Sequence, residues 1–351
     1  MTKDLLRKRV LTIWLFSGCG LVALMVIIGG ITRLTHSGLS MVDWRLFMGS
    51  IPPITDAEWQ VTFEQYKNFP EYQQINFNFS LEDFKSIFWW EYIHRLIGRL
   101  IGLVFLIPFS IFLIKKWIDK KLLIHLLVMF VMGGLQGLLG WYMVKSGLVQ
   151  DPSVSQYRLA AHLMAAFVTC SYIFWVALQI IYPKLQSQPS ESSVKTYRMA
   201  IWITSVVTLQ IIYGAFVAGL KAGKVYNTFP KMDSSWLPVE LWSGFERDGW
   251  TALTSNVTWV QFLHRYLAYI VVIMVLLFWK KINYHELNKI QKTAVSTVLG
   301  ITLGQALLGI FTLIFSVPIV LGVAHQVGAL ALLMSLVFVI FHFRPTASKL
   351  N

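Results

Sequence analysis

The chain has 351 residues, of which 56% are hydrophobic and only 13% are charged, and it contains 14 Trp and 24 Phe. A soluble core cannot bury this much apolar surface, so the composition excludes an ordinary globular protein and is typical of an α-helical membrane protein. The net charge of +13 would fit nucleic-acid binding, but the basic residues cluster in short loops between apolar runs. That pattern is typical of cytoplasmic loops, so we expect contact with membrane lipid and not with nucleic acid.

Eight apolar runs are each long enough to cross the hydrocarbon layer, which takes about 20 residues of helix. The predicted spans are 11–31, 90–114, 122–144, 159–181, 199–220, 260–279, 294–316 and 319–341. Every predicted inner segment is net positive, so hydropathy and the positive-inside rule agree in placing both termini in the cytoplasm. The sequence therefore predicts an all-α polytopic membrane protein with long outer loops at 33–88 and 221–258.

The two cysteines, Cys19 and Cys170, both lie inside apolar runs. Neither belongs to a C-x-x-C metal motif or to a disulfide framework. We expect both to be buried as small apolar side chains.

Polar landmarks recur in the same order in the two halves of the chain. They are FWWEYIHR at 88–95 and WVQFLHRY at 259–266, Q-x-L-L-G at 136–140 and 305–309, and Ala-His at 161–162 and 324–325. Duplication of an even-span unit gives two halves with the same topology. The repeat predicts two pseudo-symmetric four-helix bundles, one at 1–182 and the other at 196–343.

Four of the eight histidines fall just inside the predicted outer ends of the even-numbered spans: His94, His162, His264 and His325. A rise of about 1.5 Å per residue places all four at a similar depth. Ionisable groups at membrane depth are costly and usually functional. Two imidazoles that face each other in a four-helix bundle can ligate one haem iron. Zinc is a poorer fit, because two histidines without a cysteine or further carboxylates rarely form a structural zinc site.

Haem propionates need cationic or hydrogen-bonding partners. Five basic residues near the predicted outer ends of the spans are candidates: Arg95, Arg265, Arg33, Arg158 and Lys221. Each of them would also suit a membrane interface, where long basic side chains extend toward water. Both interpretations are open at this point.

The two His-Arg boxes differ in one ionisable residue, because Glu91 precedes His94 by three residues whereas Gln261 precedes His264. At this spacing the carboxylate and the imidazole share a helix face. A glutamine cannot exchange a proton at physiological pH, so we infer that the first half performs chemistry and the second holds a haem that transfers electrons. The bland alternative is that Glu91 is exposed at the membrane interface.

Five motifs together resemble the haem A synthase family over essentially the whole chain. They are GGxTRLTxSGLS at 29–40, ExxHR at 91–95, AAH at 160–162, HR at 264–265 and AHQ at 324–326. The resemblance implies an oxidoreductase that converts the C8 methyl group of haem O to the formyl group of haem A, for cytochrome c oxidase.

The same resemblance assigns roles to the histidines. It implies that His94 and His162 belong to the site of the substrate haem O. It implies that His264 and His325 hold a haem B cofactor, and that Glu91 takes part in catalysis. From their positions after the histidines, we add Arg95 to the first site and Arg265 to the second. Haem O synthase and oxidase assembly factors are the partners it implies, and a homo-oligomer is left open.

One departure from the family concerns cysteine. Some members carry a cysteine pair in the first outer loop, but residues 33–88 contain none, so the chain resembles the mitochondrial-type and proteobacterial subgroup. The run at 11–31 is too long for the core of a signal peptide, and no transit peptide precedes it. We therefore expect a retained first span in a bacterial inner membrane.

Two other functions compete with this interpretation. A di-haem b-type electron-transfer cytochrome, such as a quinone-linked reductase, explains four matched histidines but not the unduplicated Glu91. A transporter with duplicated halves predicts no haem at all.

Overall fold

The computed structural model describes residues 2–41, 51–147, 154–183, 191–282 and 287–345. Apart from an isolated β-bridge between Met232 and Ser235, the regular elements in these ranges are helical. The α-helices are α1 Lys3–Leu34, α2 Asp56–Lys67, α3 Pro70–Gln74, α4 Leu81–Ile114, α5 Lys120–Gly147, α6 Gln156–Ile181, α7 Glu191–Gly219, α8 Glu240–Asp248, α9 Ala252–Ser255, α10 Val257–Lys281, α11 Lys289–Ile314 and α12 Ile319–Phe343.

Eight of these helices are long and apolar enough to cross a membrane, namely α1, α4 to α7, and α10 to α12. The prediction of an all-α protein with eight spans is confirmed. The cytoplasmic location of both termini stays a prediction.

Helix α4 begins at Leu81, nine residues before the predicted start at 90. The reason is a capping box: the Ser80 hydroxyl accepts from the Asp83 N–H at 3.2 Å, and the Asp83 carboxylate accepts from the Ser80 N–H at 2.9 Å. Such a cap satisfies backbone donors that the helix itself leaves unpaired. An apolar run locates only the part of a helix that lies in hydrocarbon, so the polar start of α4 was missed.

The described part of the first outer loop contains α2, α3 and the start of α4. We call α2 and α3 together the outer hairpin. Trp59, Phe63 and Tyr66 lie on one face of α2 and pack against aromatic residues of α4. The ring centroids of Tyr66 and Phe84 are 5.0 Å apart, and those of Trp59 and Phe88 are also 5.0 Å apart. Aromatic burial therefore anchors the outer hairpin to the helix that carries His94.

The second outer loop is anchored to α10 by hydrogen bonds. The Trp259 indole N–H donates to the Leu241 carbonyl at 2.7 Å, and the Tyr266 hydroxyl donates to the Trp236 carbonyl at 2.9 Å. In both halves, the helix that follows a long outer segment also holds that segment in place.

The chain forms two compact units, one of residues 20–166 and the other of residues 1–19 with 167–351. In the second unit, α7 packs on α10 and α12, and α11 packs on the same two helices, which makes a four-helix bundle. Cys19 and Cys170 are both buried in this unit and form no disulfide. The predicted division into bundles at 1–182 and 196–343 stays a prediction.

One carboxyl group is buried in the outer hairpin. Glu71 is only 5% exposed, and its carboxylate accepts from the Tyr66 hydroxyl at 3.2 Å. The Asn76 amide donates to the same hydroxyl at 2.8 Å. Burial raises the pKa of Glu71 from 4.5 to about 8, and the negative charge of Glu91 adds to the increase.

This raised pKa makes the stability of the outer hairpin depend on pH. The stability that a neutral Glu71 contributes is fully present below its unfolded pKa of 4.5 and is lost as pH rises through about 8. We expect amide hydrogen exchange in residues 56–76, corrected for the intrinsic rate, to show falling protection over that interval. The Glu71→Gln variant should remove the fall, and an unchanged pH profile in that variant would contradict the assignment.

Candidate functional site

Each of the four histidines at the predicted sites packs against a glycine of the preceding membrane-spanning helix. A Cβ atom added to the glycine would lie within 3.2 Å of the imidazole ring in every case. The distances are 3.2 Å for Gly29 and His94, 3.1 Å for Gly140 and His162, 3.1 Å for Gly214 and His264, and 2.9 Å for Gly309 and His325. We call this contact a glycine seat. A larger residue would force a shift at Gly309 and would crowd the ring at the other three positions.

The glycine seats bring the histidines together in pairs, one in each compact unit. The ring centroids of His264 and His325 are 6.4 Å apart, with their planes at 86°. Two metal–nitrogen bonds of about 2 Å, plus about 1 Å from each nitrogen to its ring centre, give a similar separation of about 6 Å. His94 and His162 are close enough to interact electrostatically. The separation of His264 and His325 therefore leaves room for one haem iron between the two rings.

The ring nitrogens give a second test of this fit. The Nδ1 atoms of His162, His264 and His325 are buried and have no hydrogen-bond partner among the described residues. A histidine that ligates a metal through one nitrogen donates a hydrogen bond from the other. These three rings could thus bind a haem iron through Nε2, with Nδ1 left to donate a hydrogen bond. Within the described ranges, no group of three or more His, Cys, Asp or Glu residues could hold a metal ion.

Glu91 is buried, with 2% of its surface exposed, so the alternative of an exposed interfacial residue is wrong. Its Oε2 atom accepts from the N–H and the hydroxyl of Ser40, each at 2.7 Å, and from the Met41 N–H at 2.9 Å. Its Oε1 atom accepts from Arg95. The carboxylate therefore ties the segment that follows α1 to α4, one turn before His94.

Gln261 holds the equivalent position in the second half with the opposite hydrogen-bond polarity. It is also 2% exposed, and its Nε2 donates to the Ala222 carbonyl at 3.0 Å and to the Val225 carbonyl. Glu91 accepts from backbone N–H groups, whereas Gln261 donates to backbone carbonyls. The residue type thus matches the backbone atoms that each outer segment presents.

The two arginines that follow the histidines bind the same outer segments. Arg95 donates to the Met41 carbonyl at 2.9 Å as well as to Glu91. Arg265 donates to the carbonyls of Thr228 at 2.8 Å, Lys231 at 3.1 Å and Tyr226. These contacts give both arginines a structural role. Their role toward haem propionates stays a prediction.

The other three propionate candidates differ in exposure. Arg33 is half-buried in the last turn of α1, and Lys221 is exposed directly after α7. Arg158 is half-buried, with its guanidinium 4.5 Å from the centroid of the Tyr142 ring. The assignment of these side chains to propionates also stays a prediction.

The sequence analysis missed the role of three glutamines. The Nε2 atoms of Gln136, Gln210 and Gln305 donate to the backbone carbonyls of His162, His264 and His325, at 3.0, 3.0 and 2.7 Å respectively. Gln136 and Gln305 belong to the repeated Q-x-L-L-G segments, which carried the signal. In the sequence, the repeated Q-x-L-L-G segment indicates duplication. It does not show that the glutamine binds a histidine carbonyl, because the two residues lie on different helices.

Comparison with known proteins places this chain in a family. The profile of the cytochrome oxidase assembly protein family matches residues 12–337. A haem A synthase of Flavobacterium psychrophilum is 46% identical over 94% of this chain and 97% of its own length. One from Nitrosospira multiformis is 44% identical over 95% of this chain and 93% of its own length. The haem A synthase of Arabidopsis thaliana is 42% identical over 97% of this chain and 76% of its own length.

The opposite polarity of Glu91 and Gln261 leads to a reciprocal prediction. Glu91→Gln places an amide N–H against backbone donors, and Gln261→Glu places a carboxylate against carbonyls. Each change leaves buried polar groups unpaired and should lower the free energy of unfolding by about 1–3 kcal/mol. Thermal unfolding in detergent, with protease cleavage within residues 35–41 or 222–228, measures the effect.

A matched control uses Glu64, whose carboxylate pairs with Lys67 at an exposed site. Glu64→Gln should leave the melting temperature almost unchanged, since exposed ion pairs contribute little. Equal melting temperatures for all three variants would show that neither buried side chain holds its outer segment.

Proposed function

Because the chain belongs to the cytochrome oxidase assembly protein family, we propose that it is a haem A synthase, an oxidoreductase that converts haem O to haem A. The oxidised group is the C8 methyl of haem O, which becomes a formyl group. The relatives named haem A synthase align with nearly the whole chain. The observation that carries the proposal is the set of four glycine-seated histidines, with a carboxylate beside only one of them.

The two histidine pairs divide the work. His94 and His162 hold the substrate haem O, and His264 and His325 hold a haem B cofactor. The asymmetry between Glu91 and Gln261 supports this order, because only the first pair has a neighbouring group that can exchange a proton. Haem iron, when bound, supplies the redox chemistry that no side chain offers.

Glu91 serves this reaction as the proton-exchanging group of the first half. Its Oε2 atom accepts a hydrogen bond from the Ser40 hydroxyl at 2.7 Å, which orients the carboxylate. Its contact with Arg95 and the two backbone N–H groups holds the carboxylate in one orientation. Glu91 and Ser40 are both buried, so little water reaches the carboxylate.

The proposed location is the inner membrane of a bacterial cell. The eight apolar helices and the bacterial relatives support this placement. Haem O synthase is the proposed source of the substrate, and cytochrome c oxidase assembly factors are the proposed recipients of the product. A di-haem electron-transfer cytochrome would use the four histidines equally well, but the names of the relatives favour the synthase.

Extraction of haem from the purified protein, followed by chromatography, tests the proposed function. The synthase should yield haem B together with haem O or haem A. Haem B alone would favour the electron-transfer cytochrome, and protein without a Soret band would refute both.

Substitution of the histidines tests the division between the two sites. His264→Ala and His325→Ala should each remove haem B, because one iron ligand is lost. His36→Ala, at an exposed position two residues after the end of α1, should leave both haems bound. Full haem B content in either of the first two variants would overturn the assignment.

The proton-exchange role of Glu91 is separable from its structural role. Glu91→Gln should abolish haem A formation while haem B remains bound. Ser40→Ala removes one donor but keeps the carboxylate and both backbone contacts, so it should retain at least a tenth of the wild-type rate. The rate of haem A formation in membranes measures both variants. Normal product from Glu91→Gln, or equal losses in the two variants, would contradict the catalytic assignment.

A further inference from the structure

Three interhelical glutamine contacts lie next to three of the four paired histidines. In each, a glutamine Nε2 donates to the backbone carbonyl of the histidine on the neighbouring helix. A carbonyl inside a helix already has a partner in its own helix. The extra bond therefore does little for the backbone, but it holds the amide group of the glutamine beside the histidine.

The glutamines occupy one position of a motif that occurs four times. Each lies four residues before a glycine seat: Gln136 before Gly140, Gln210 before Gly214, and Gln305 before Gly309. The fourth copy has a methionine, Met25, four residues before Gly29. The repeating unit is thus a pair of helices, and the pair that carries His94 is the exception.

The same three helix pairs contain unpaired polar atoms of complementary kind. The Oε1 atoms of Gln136, Gln210 and Gln305 are buried and have no partner in the described part of the chain. The Nδ1 atoms of the three matching histidines are also buried and have no hydrogen-bond partner among the described residues. An unpaired buried polar atom costs about 1–3 kcal/mol, so a bound state of the site in which the three donors meet the three acceptors would be favoured.

The chemistry of metal-bound imidazole identifies that state. When Nε2 of a histidine binds a metal, Nδ1 carries a proton and needs an acceptor. A glutamine Oε1 is such an acceptor and has no charge to bury. The thioether of methionine accepts hydrogen bonds only weakly, so Met25 cannot replace it.

We propose that Gln136, Gln210 and Gln305 are positioning residues. Their Oε1 atoms accept hydrogen bonds from Nδ1–H of the ligating histidines, and this inference rests on the proposed haem sites. His94 lacks this acceptor and is the exchangeable ligand of the four. The side of the substrate site that His94 occupies is therefore the side that a small external ligand reaches, while His162 stays bound.

The orientation of the His94 ring at the Gly29 seat supports the distinction between His94 and the other three histidines. The ring atom nearest to the added Cβ is Nε2 for His94, whereas it is Cε1 for each of the other three histidines. Met25 instead lies near Gly98, one turn beyond His94, because its methyl carbon would be 3.6 Å from a Cβ added to that glycine. The His94 ring thus differs from the others in orientation as well as in its neighbour.

Carbon monoxide binding to the reduced, haem-loaded protein tests the exchangeable ligand. The wild-type protein should bind CO at one of its two haems. Met25→Gln supplies the missing acceptor and should slow CO binding at least tenfold. An unchanged rate in that variant would overturn the assignment of His94.

Haem loss to an excess of apomyoglobin tests the glutamines. Gln210→Met and Gln305→Met should each release the cofactor haem about 10- to 100-fold faster, the effect typical of losing the outer partner of a ligating histidine. They should also shift the low-spin electron paramagnetic resonance signal. Release at the wild-type rate from both variants would refute the positioning role.

The chain offers a matched control in the same helix as Gln305. The Nε2 atom of Gln291 donates to the His342 carbonyl at 3.3 Å, which is the same kind of contact between α11 and α12. His342 already has its Nδ1 atom 3.0 Å from the Phe338 carbonyl. Gln291→Met should therefore leave the rate of haem loss and the resonance signal unchanged. If Gln291→Met accelerated haem loss as much as Gln305→Met, the effect would come from general loosening of the bundle, and the positioning role would be refuted.

A second variant displaces the same oxygen without removing the glutamine. A Cβ added to Gly328 would lie 2.1 Å from the Gln305 Oε1 atom, so Gly328→Ala should reproduce the faster haem loss of Gln305→Met. Haem loss at the wild-type rate from Gly328→Ala would contradict the role of that oxygen.

Wild-type protein that binds no haem would refute the proposed function itself, whereas two haems with identical behaviour in all variants would refute only the present inference.

Discussion

The close approach of a histidine ring to a glycine backbone is the contact on which both candidate sites depend. Each glycine seat would place an added Cβ 2.9–3.2 Å from the imidazole. A methyl group there would displace the ring or separate the helices. Small residues allow such spacing between membrane helices, where association relies on packing rather than on exclusion of water. The close spacing of the helices and the placement of the histidines therefore depend on each other.

The outer segments depend on a second set of contacts, which join them to the helices that carry His94 and His264. Buried charges are stable only when they are paired and hydrogen-bonded, and Glu91 meets this requirement with four donors. Gln261 achieves the same attachment without a charge, by donating to carbonyls. The two halves thus attach their outer segments at the same position of the helix, but with hydrogen bonds of opposite polarity.

Much of this architecture could be predicted from local pattern. The eight spans follow from apolar length, and the four histidines and the repeat follow from spacing along the chain. The start of α4 and the helices of the first outer loop did not follow, because they depend on capping by Ser80 and Asp83 and on aromatic packing around Phe84. Neither feature raises the hydropathy of a window.

The sequence by itself determined the membrane class, the duplicated histidines and the single carboxylate, since composition and regular spacing encode them directly. Only the tertiary structure decided what Glu91 binds, because its partners Ser40 and Met41 lie 51 and 50 residues away along the chain. It also decided that Gln136, Gln210 and Gln305 bind histidine carbonyls of other helices. A hydrogen bond between helices depends on their spacing and rotation, and local pattern specifies neither.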